Sequence, residues 1–326
     1  MNLHAILENF MHPPVLFFFL GILAVFVKSD LEIPPQIAKF LSIYLLFDIG
    51  FKGGDELFHS GFNSTVITVV IVCISASALI PFIVFPILRR KLDVYNSGAI
   101  AGTYGSISAV TFATATSFLE ANKINFGGYM VAGMALMESP AIISGLTLIR
   151  SKIAKESEAE EDSKVKWGPI LKEALFNGSV LLLVGSLVIG LLTGNTGEAE
   201  LKPFISDIFK GMLSLYMLDM GLLAGRRLRE LRNSGIFLTV FALCYPIIAG
   251  MIGIAISYAV GLQPGDALLQ TILIASASYI AVPAAMRLAV PQANMSLLLP
   301  MSLGITFTFN IAFGIPLFNA IIHAIW

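Results

Sequence analysis

The stretch "AGTYGSISAVTFATATSFLE" (Ala101 to Glu120) decides how this chain is read. Nine of its twenty residues are glycine, serine or threonine. Yet it lies in a protein that is 56% hydrophobic, where a purely lipid-facing helix would be rich in leucine, isoleucine and valine. Small polar residues at the centre of an apolar segment need another explanation.

The surrounding chain is apolar almost throughout. Its mean hydropathy is +0.85 and only 13% of residues are charged, which excludes an ordinary soluble domain. Runs such as "TVITVVIVCISASALIPFIVFPIL" (Thr65 to Leu88) exceed the roughly 20 apolar residues that cross a bilayer core. No Lys or Arg precedes the first run, Pro14 to Val27. It lacks the positive leader of a signal peptide and reads as a retained span. Ten spans are predicted, near 13–27, 36–51, 65–88, 97–118, 128–150, 174–192, 204–225, 235–260, 266–288 and 296–325. The expected class is all-α: a polytopic protein of a cell (inner) membrane, in contact with lipid.

Charge orients these spans. With the N-terminus outside, 16 of the 20 Lys and Arg residues fall on the cytoplasmic side and 4 on the outer side. This bias predicts that both termini are outside. The net charge of −1 gives no reason to expect a nucleic-acid partner. Cys73 and Cys244 both fall within spans and read as small buried thiols. The four histidines, among them His59, show no metal-ligand spacing. No P-loop motif is present, so nucleotide hydrolysis is not expected.

One charged segment, "SKIAKESEAEEDSKVK" (Ser151 to Lys166), interrupts the pattern. It reads as a cytoplasmic connector, 151–168, between a first half, 1–150, and a second, 169–326. The halves repeat. A shift of 171 aligns "FDIGFKGG" with "LDMGLLAG", pairing Asp48 with Asp219, Gly50 with Gly221 and Gly54 with Gly225. A shift of 172 aligns "SAVTFATATSFLEAN" with "IAVPAAMRLAVPQAN". Five spans per half is an odd number, so the second half inserts upside down. Two inverted five-helix repeats are the plan of many secondary transporters.

This duplication gives the opening stretch its meaning. The fourth span and its mate, the ninth, both soften at their middles, with Gly98, Gly102 and Gly105 in one and Ser276, Ala277, Ser278 and Pro283 in the other. A break in a membrane helix strands N–H and C=O groups, and persists only where protein, water or solute satisfies them. The fourth and ninth helices are therefore expected to be discontinuous and to meet at one site. Free N–H groups at a half-helix start suit an anion. Ser106, Ile107 and Ser108 are expected there with Ala281 and Val282, and the hydroxyls of Ser108 and Thr111 can add donors. Free carbonyls at half-helix ends suit Na⁺, with the oxygens of Thr103, Ser276 and Ser278 as helpers. The alternative is that these small residues only permit close helix packing.

Glu138, in "GMALMESPAII", lies near the middle of the fifth span and should face a cavity or a partner. It reads as a cation ligand or proton carrier, with Asn310 as its repeat counterpart, or as a protonated tie between helices. Asp48 reads as structural, paired with Lys52 at i+4.

The segments "GSISAVTFATATSFLE", "MESPAII", "GRRLRELR", "ASASYIAVPAAMRLAVPQAN" and "GIPLF" resemble those of cyanobacterial-type sodium-dependent bicarbonate transporters. The resemblance covers most of the chain apart from the connector. It implies ten spans in two inverted halves, a core moving against a scaffold, a homotrimer, Na⁺-coupled import of bicarbonate, and a possible PII-like cytoplasmic regulator. Na⁺ would be the coupling ion, with no other cofactor. By position, it assigns the small polar element of the fourth span to Gly105, Ser106, Ser108 and Thr111. The acidic element of the fifth span falls on Glu138 to Pro140, and the serine element of the ninth on Ser276 to Ser278. Tyr279 stands where the family pattern has an aspartate, and Val282-Pro283-Ala284 where it has Gly-Pro-Pro. Besides bicarbonate import, two readings stay open: a sodium- or proton-coupled symporter of a small organic carboxylate, and a transport-inactive sensor docking a cytoplasmic partner.

Overall fold

The computed structural model describes residues 11–61, 63–156, 178–230 and 235–326, and no strand occurs among them. Helices α1 (Pro13–Phe26) and α2 (Pro35–Ser60) each begin with proline, whose missing N–H is harmless in a first turn. Asn63 caps α3 (Ser64–Leu88) by accepting the Val66 N–H at 3.0 Å. Asp93 caps α4 (Val94–Gly105) by accepting the Asn96 N–H at 2.9 Å. There follow α5 (Ala109–Ala121), α6 (Tyr129–Glu156), α7 (Gly178–Asp207), α8 (Phe209–Glu230) and α9 (Ile236–Val260). The last three are α10 (Pro264–Ala275), α11 (Ala281–Ala289) and α12 (Met295–Ile325).

Among the described residues, α3, α6, α7, α9 and α12 contain stretches long and apolar enough to cross a membrane. Their outer faces carry exposed Ile67, Ile71, Ile83, Leu192 and Ile248, a surface that lipid rather than water would solvate.

Close-packed glycines set the arrangement. Along α2, a Cβ on Gly50 or Gly54 would collide with the Leu183 or Leu187 carbonyl of α7. Along α8, a Cβ on Gly221 would collide with the Phe18 carbonyl of α1, and one on Gly225 would crowd Val25. These are the glycines that the 171-residue shift pairs. Helix α2 thus packs on α7, and α8 on α1, backbone against backbone.

Some boundaries differ from expectation. Helix α2 continues to Ser60 instead of ending near 51; Asp55 and Glu56 line a cavity there, and the Asp55 backbone packs on Gly190 of α7. Helix α6 continues to Glu156, into the predicted connector. The rest of the connector and the start of the second half, to residue 177, lie outside the described residues. Cys73 is buried as expected, but Cys244 is exposed. An apolar helix hides its lipid-facing side from sequence periodicity, and Cys244 sits on that side of α9. The expected Asp48–Lys52 pair forms at 3.2 Å, with Asp48 buried.

Candidate functional site

The softened fourth and ninth segments are both interrupted. Helix α4 ends at Gly105 and α5 begins at Ala109, with Ser106 and Ser108 extended between them. Helix α10 ends at Ala275 and α11 begins at Ala281, with Ser276 extended. The two breaks touch. The Ser278 N–H donates to the Thr103 carbonyl at 2.9 Å, and the Ser108 N–H donates to the Ser276 hydroxyl oxygen at 3.1 Å.

The carbonyl ends of α4 and α10 are largely satisfied by protein. The Tyr245 hydroxyl, from α9, lies 2.7 Å from the Tyr104 carbonyl and 3.1 Å from the Ile274 carbonyl, one at each break. The Asn310 amide donates to the Ala275 carbonyl at 2.9 Å. The Ser276 hydroxyl donates to the Leu273 carbonyl at 3.0 Å, and the Thr103 hydroxyl to the Ala99 carbonyl at 2.9 Å.

The N–H ends are less completely used. At the start of α5, the Ser108 hydroxyl oxygen accepts from the Thr111 N–H at 3.2 Å and the Thr111 hydroxyl at 2.8 Å. At α11, the Ser278 hydroxyl oxygen accepts from the Val282 N–H at 3.3 Å. Among the described residues, the N–H groups of Ala109, Val110 and Ala281 have no acceptor. All three residues line a cavity of about 30 Å³, together with Ile107, Ser108, Glu138, Tyr216, Ser278 and Tyr279. Three N–H groups gathered at two helix starts favour negative charge.

Of the residues singled out from sequence, Ile107, Ser108, Glu138, Ser278 and Ala281 line this cavity. Gly105, Ser106, Thr111, Val282, Thr103 and Ser276 lie in the breaks and adjacent turns without lining it. Gly105 presses α4 against Pro81 of α3, and the Ser106 hydroxyl is buried without a hydrogen bond. Glu138 is 7% exposed, and its Oε2 is enclosed without a hydrogen-bond partner. The Ser77 hydroxyl donates to the neighbouring Met137 carbonyl, in the turn before Pro140. Asn310 does not hydrogen-bond Glu138; it braces α10 from a π-helical turn of α12.

Tyr216 and Tyr245 were missed by sequence reasoning. Tyr216 stands one turn before the repeat-paired Asp219, a spacing that would have placed it on the same helix face. Tyr245 has no sequence signal beyond being a hydroxyl in an apolar helix. Tyr279 is buried, its hydroxyl stands near those of Ser108 and Tyr216, and its ring meets Phe307 edge-on at 5.4 Å.

Two larger cavities flank the small one. One, of about 350 Å³, is lined by Asp48, Lys52, Glu56 and Glu120 and shares Ile49 with the central cavity. The other, of about 780 Å³, is lined by Lys39, Asp219 and Arg227 and shares Ser42, Tyr216 and Tyr279 with it. The repeat-related aspartates therefore stand one in each.

Apolar helices built around two interrupted ones describe an integral membrane protein of the transporter class. The family model for the Na⁺-dependent bicarbonate transporter superfamily matches residues 13–323, and the chain belongs to that superfamily. No curated protein matches the chain. Membership places the chain among transporters of an anion with sodium, not among enzymes.

Proposed function

We propose that the protein is a sodium-coupled importer of a small anion, bicarbonate first, working by alternating access. The observation that carries this reading is the convergence of the α5 and α11 starts on one cavity. The unaccepted N–H groups of Ala109, Val110 and Ala281 supply the anion's donors. The cavity's small volume favours a solute of few atoms over a larger organic carboxylate. In this reading the chain forms ten spans in two inverted halves with both termini outside. The cavity holding Asp48 is then the outer vestibule and that holding Asp219 the inner one. An inward Na⁺ gradient supplies the work, and the membrane potential adds about 2.3 kcal/mol per unit charge for each 100 mV. The superfamily resemblance supports a homotrimer and leaves room for a PII-like cytoplasmic regulator.

Glu138 favours one variant of this reading. An enclosed carboxylate oxygen with no donor is satisfied by a cation or by a proton, so either can be the coupling ion. Uptake of labelled bicarbonate into proteoliposomes tests both. Uptake that requires inward Na⁺ supports the proposal. Uptake that follows a pH gradient and ignores Na⁺ assigns coupling to the proton. Partner binding without flux of any anion overturns transport in favour of a sensor.

A further inference from the structure

At the cavity that holds Asp48, the α2–α7 pair carries a cluster to which the transport reading gives no role. Asp55 and His59 stand one turn apart on α2, and Glu198 reaches across from α7. One ligand-capable atom from each lies within 4.8 Å of the others. The spacing of the histidines along the chain offered no metal-ligand set. Packing brings to His59 a carboxylate from another helix. Gly194 makes the approach possible, because its backbone (φ 48°) bends α7 where a side chain would strike Phe58, next to His59.

We propose that Asp55, His59 and Glu198 form a site for a divalent transition-metal ion, zinc by its chemistry, that clips α2 to α7. One imidazole with carboxylates is a donor set zinc accepts, water completing the coordination. The spacing agrees. His59 Nε2 lies 3.7 Å from Asp55 Oδ1, too far for a good hydrogen bond. Two ligands on a tetrahedral zinc, each about 2.1 Å from the ion, stand about 3.4 Å apart.

Asp55 supplies an independent observation. It is 8% exposed, and its Oδ1, the oxygen turned toward His59, is enclosed without a hydrogen bond. His59 answers it as an ion pair only when the imidazole is protonated; a bound cation would answer it with the imidazole neutral. Lys52, which lines the same cavity as Asp55 and Glu198, is already paired with Asp48 at 3.2 Å. Glu56 lies within electrostatic reach of Asp55, His59 and Glu198 and adds to the negative charge near the cluster. Glu198 is exposed and free to swing onto an ion.

The test is independent of transport. Full-length protein in detergent is stripped with a chelator and titrated with Zn²⁺ by calorimetry, with thermal unfolding followed in parallel. The expected result is one ion per chain, a higher Tm, and reversal by EDTA. His59→Ala and Glu198→Gln change exposed side chains. Each should weaken binding by about tenfold or more while leaving the metal-free Tm unchanged. Co²⁺ gives a second readout, because its visible absorption bands should appear on wild type and fade in His59→Ala. Absence of saturable binding at millimolar Zn²⁺, or variants that bind like wild type, overturns the site.

Discussion

The Ser278 N–H donates to the Thr103 carbonyl across 2.9 Å, so each interrupted helix satisfies part of the other's interruption. Two breaks that would each strand polar backbone in lipid become tolerable because they coincide. The same coincidence leaves the α5 and α11 starts facing one small cavity.

Ser108 is the most exacting position in that cavity. Ser108→Leu fills the space beside Ala109 and Val110 and is expected to abolish bicarbonate uptake while the protein still purifies folded. Ser108→Ala removes the cap on Thr111, with an expected loss of about 1 kcal/mol and weaker uptake. Paired uptake assays and thermal melts distinguish the two effects. Normal uptake by Ser108→Leu would remove the cavity from the mechanism.

Glu138→Gln keeps the shape of the side chain and removes its charge. The expected outcome is altered dependence of uptake on Na⁺ or on pH, with Tm near wild type. Kinetics identical to wild type in both ions would exclude Glu138 from coupling.

Tyr245→Phe withdraws one hydroxyl from two carbonyls, those of Tyr104 and Ile274. A stability loss of about 1–3 kcal/mol is expected for the polar groups left bare, read from unfolding in detergent. No loss would show that water replaces the hydroxyl.

Gly54→Ala and Gly221→Ala each place a methyl against the backbone of the partner helix. Both should lower the Tm by similar amounts, because the added Cβ would fall 1.9 Å from the Leu187 carbonyl oxygen in one case and 2.0 Å from that of Phe18 in the other. Gly211→Ala, with nothing near its Cβ position, should leave Tm unchanged or raise it, since alanine favours a helix by about 1 kcal/mol over glycine.

The breaks were legible because their cause is local. Glycine and serine cluster where α4 ends, and serine follows the end of α10. The pairing of Gly50 and Gly54 with Gly221 and Gly225 was also visible, as a constant offset in the chain. Their partners were not, because Leu183, Leu187 and Phe18 are ordinary apolar residues whose carbonyls do the touching. The site was half legible for a similar reason. Serines at the breaks mark where a helix stops, but not which N–H each hydroxyl will accept. Ser108 and Ser278 turn out to cap their own helices, moving the unaccepted donors onward to Ala109, Val110 and Ala281. Tyr245 and Asn310 brace carbonyls on helices distant in sequence, which no local pattern records. Cys244 illustrates a further limit. In a helix that is apolar all round, composition does not reveal which side meets lipid.

The crossed glycine contacts bear on how the protein is made. Helices α1 to α6 leave the ribosome before α7 and α8 exist. Until then, the seams at Gly50 and Gly54 on α2 and at Phe18 and Gly21 on α1 have no protein against them. Those two seams therefore wait for synthesis of α7 and α8, while contacts among α3, α4 and α6, such as Gly98 on Ile149 and Gly105 on Pro81, need no later helix. A nascent chain halted before α7 would keep two glycine-lined faces bare, a natural client for whatever shields half-built proteins in the bilayer.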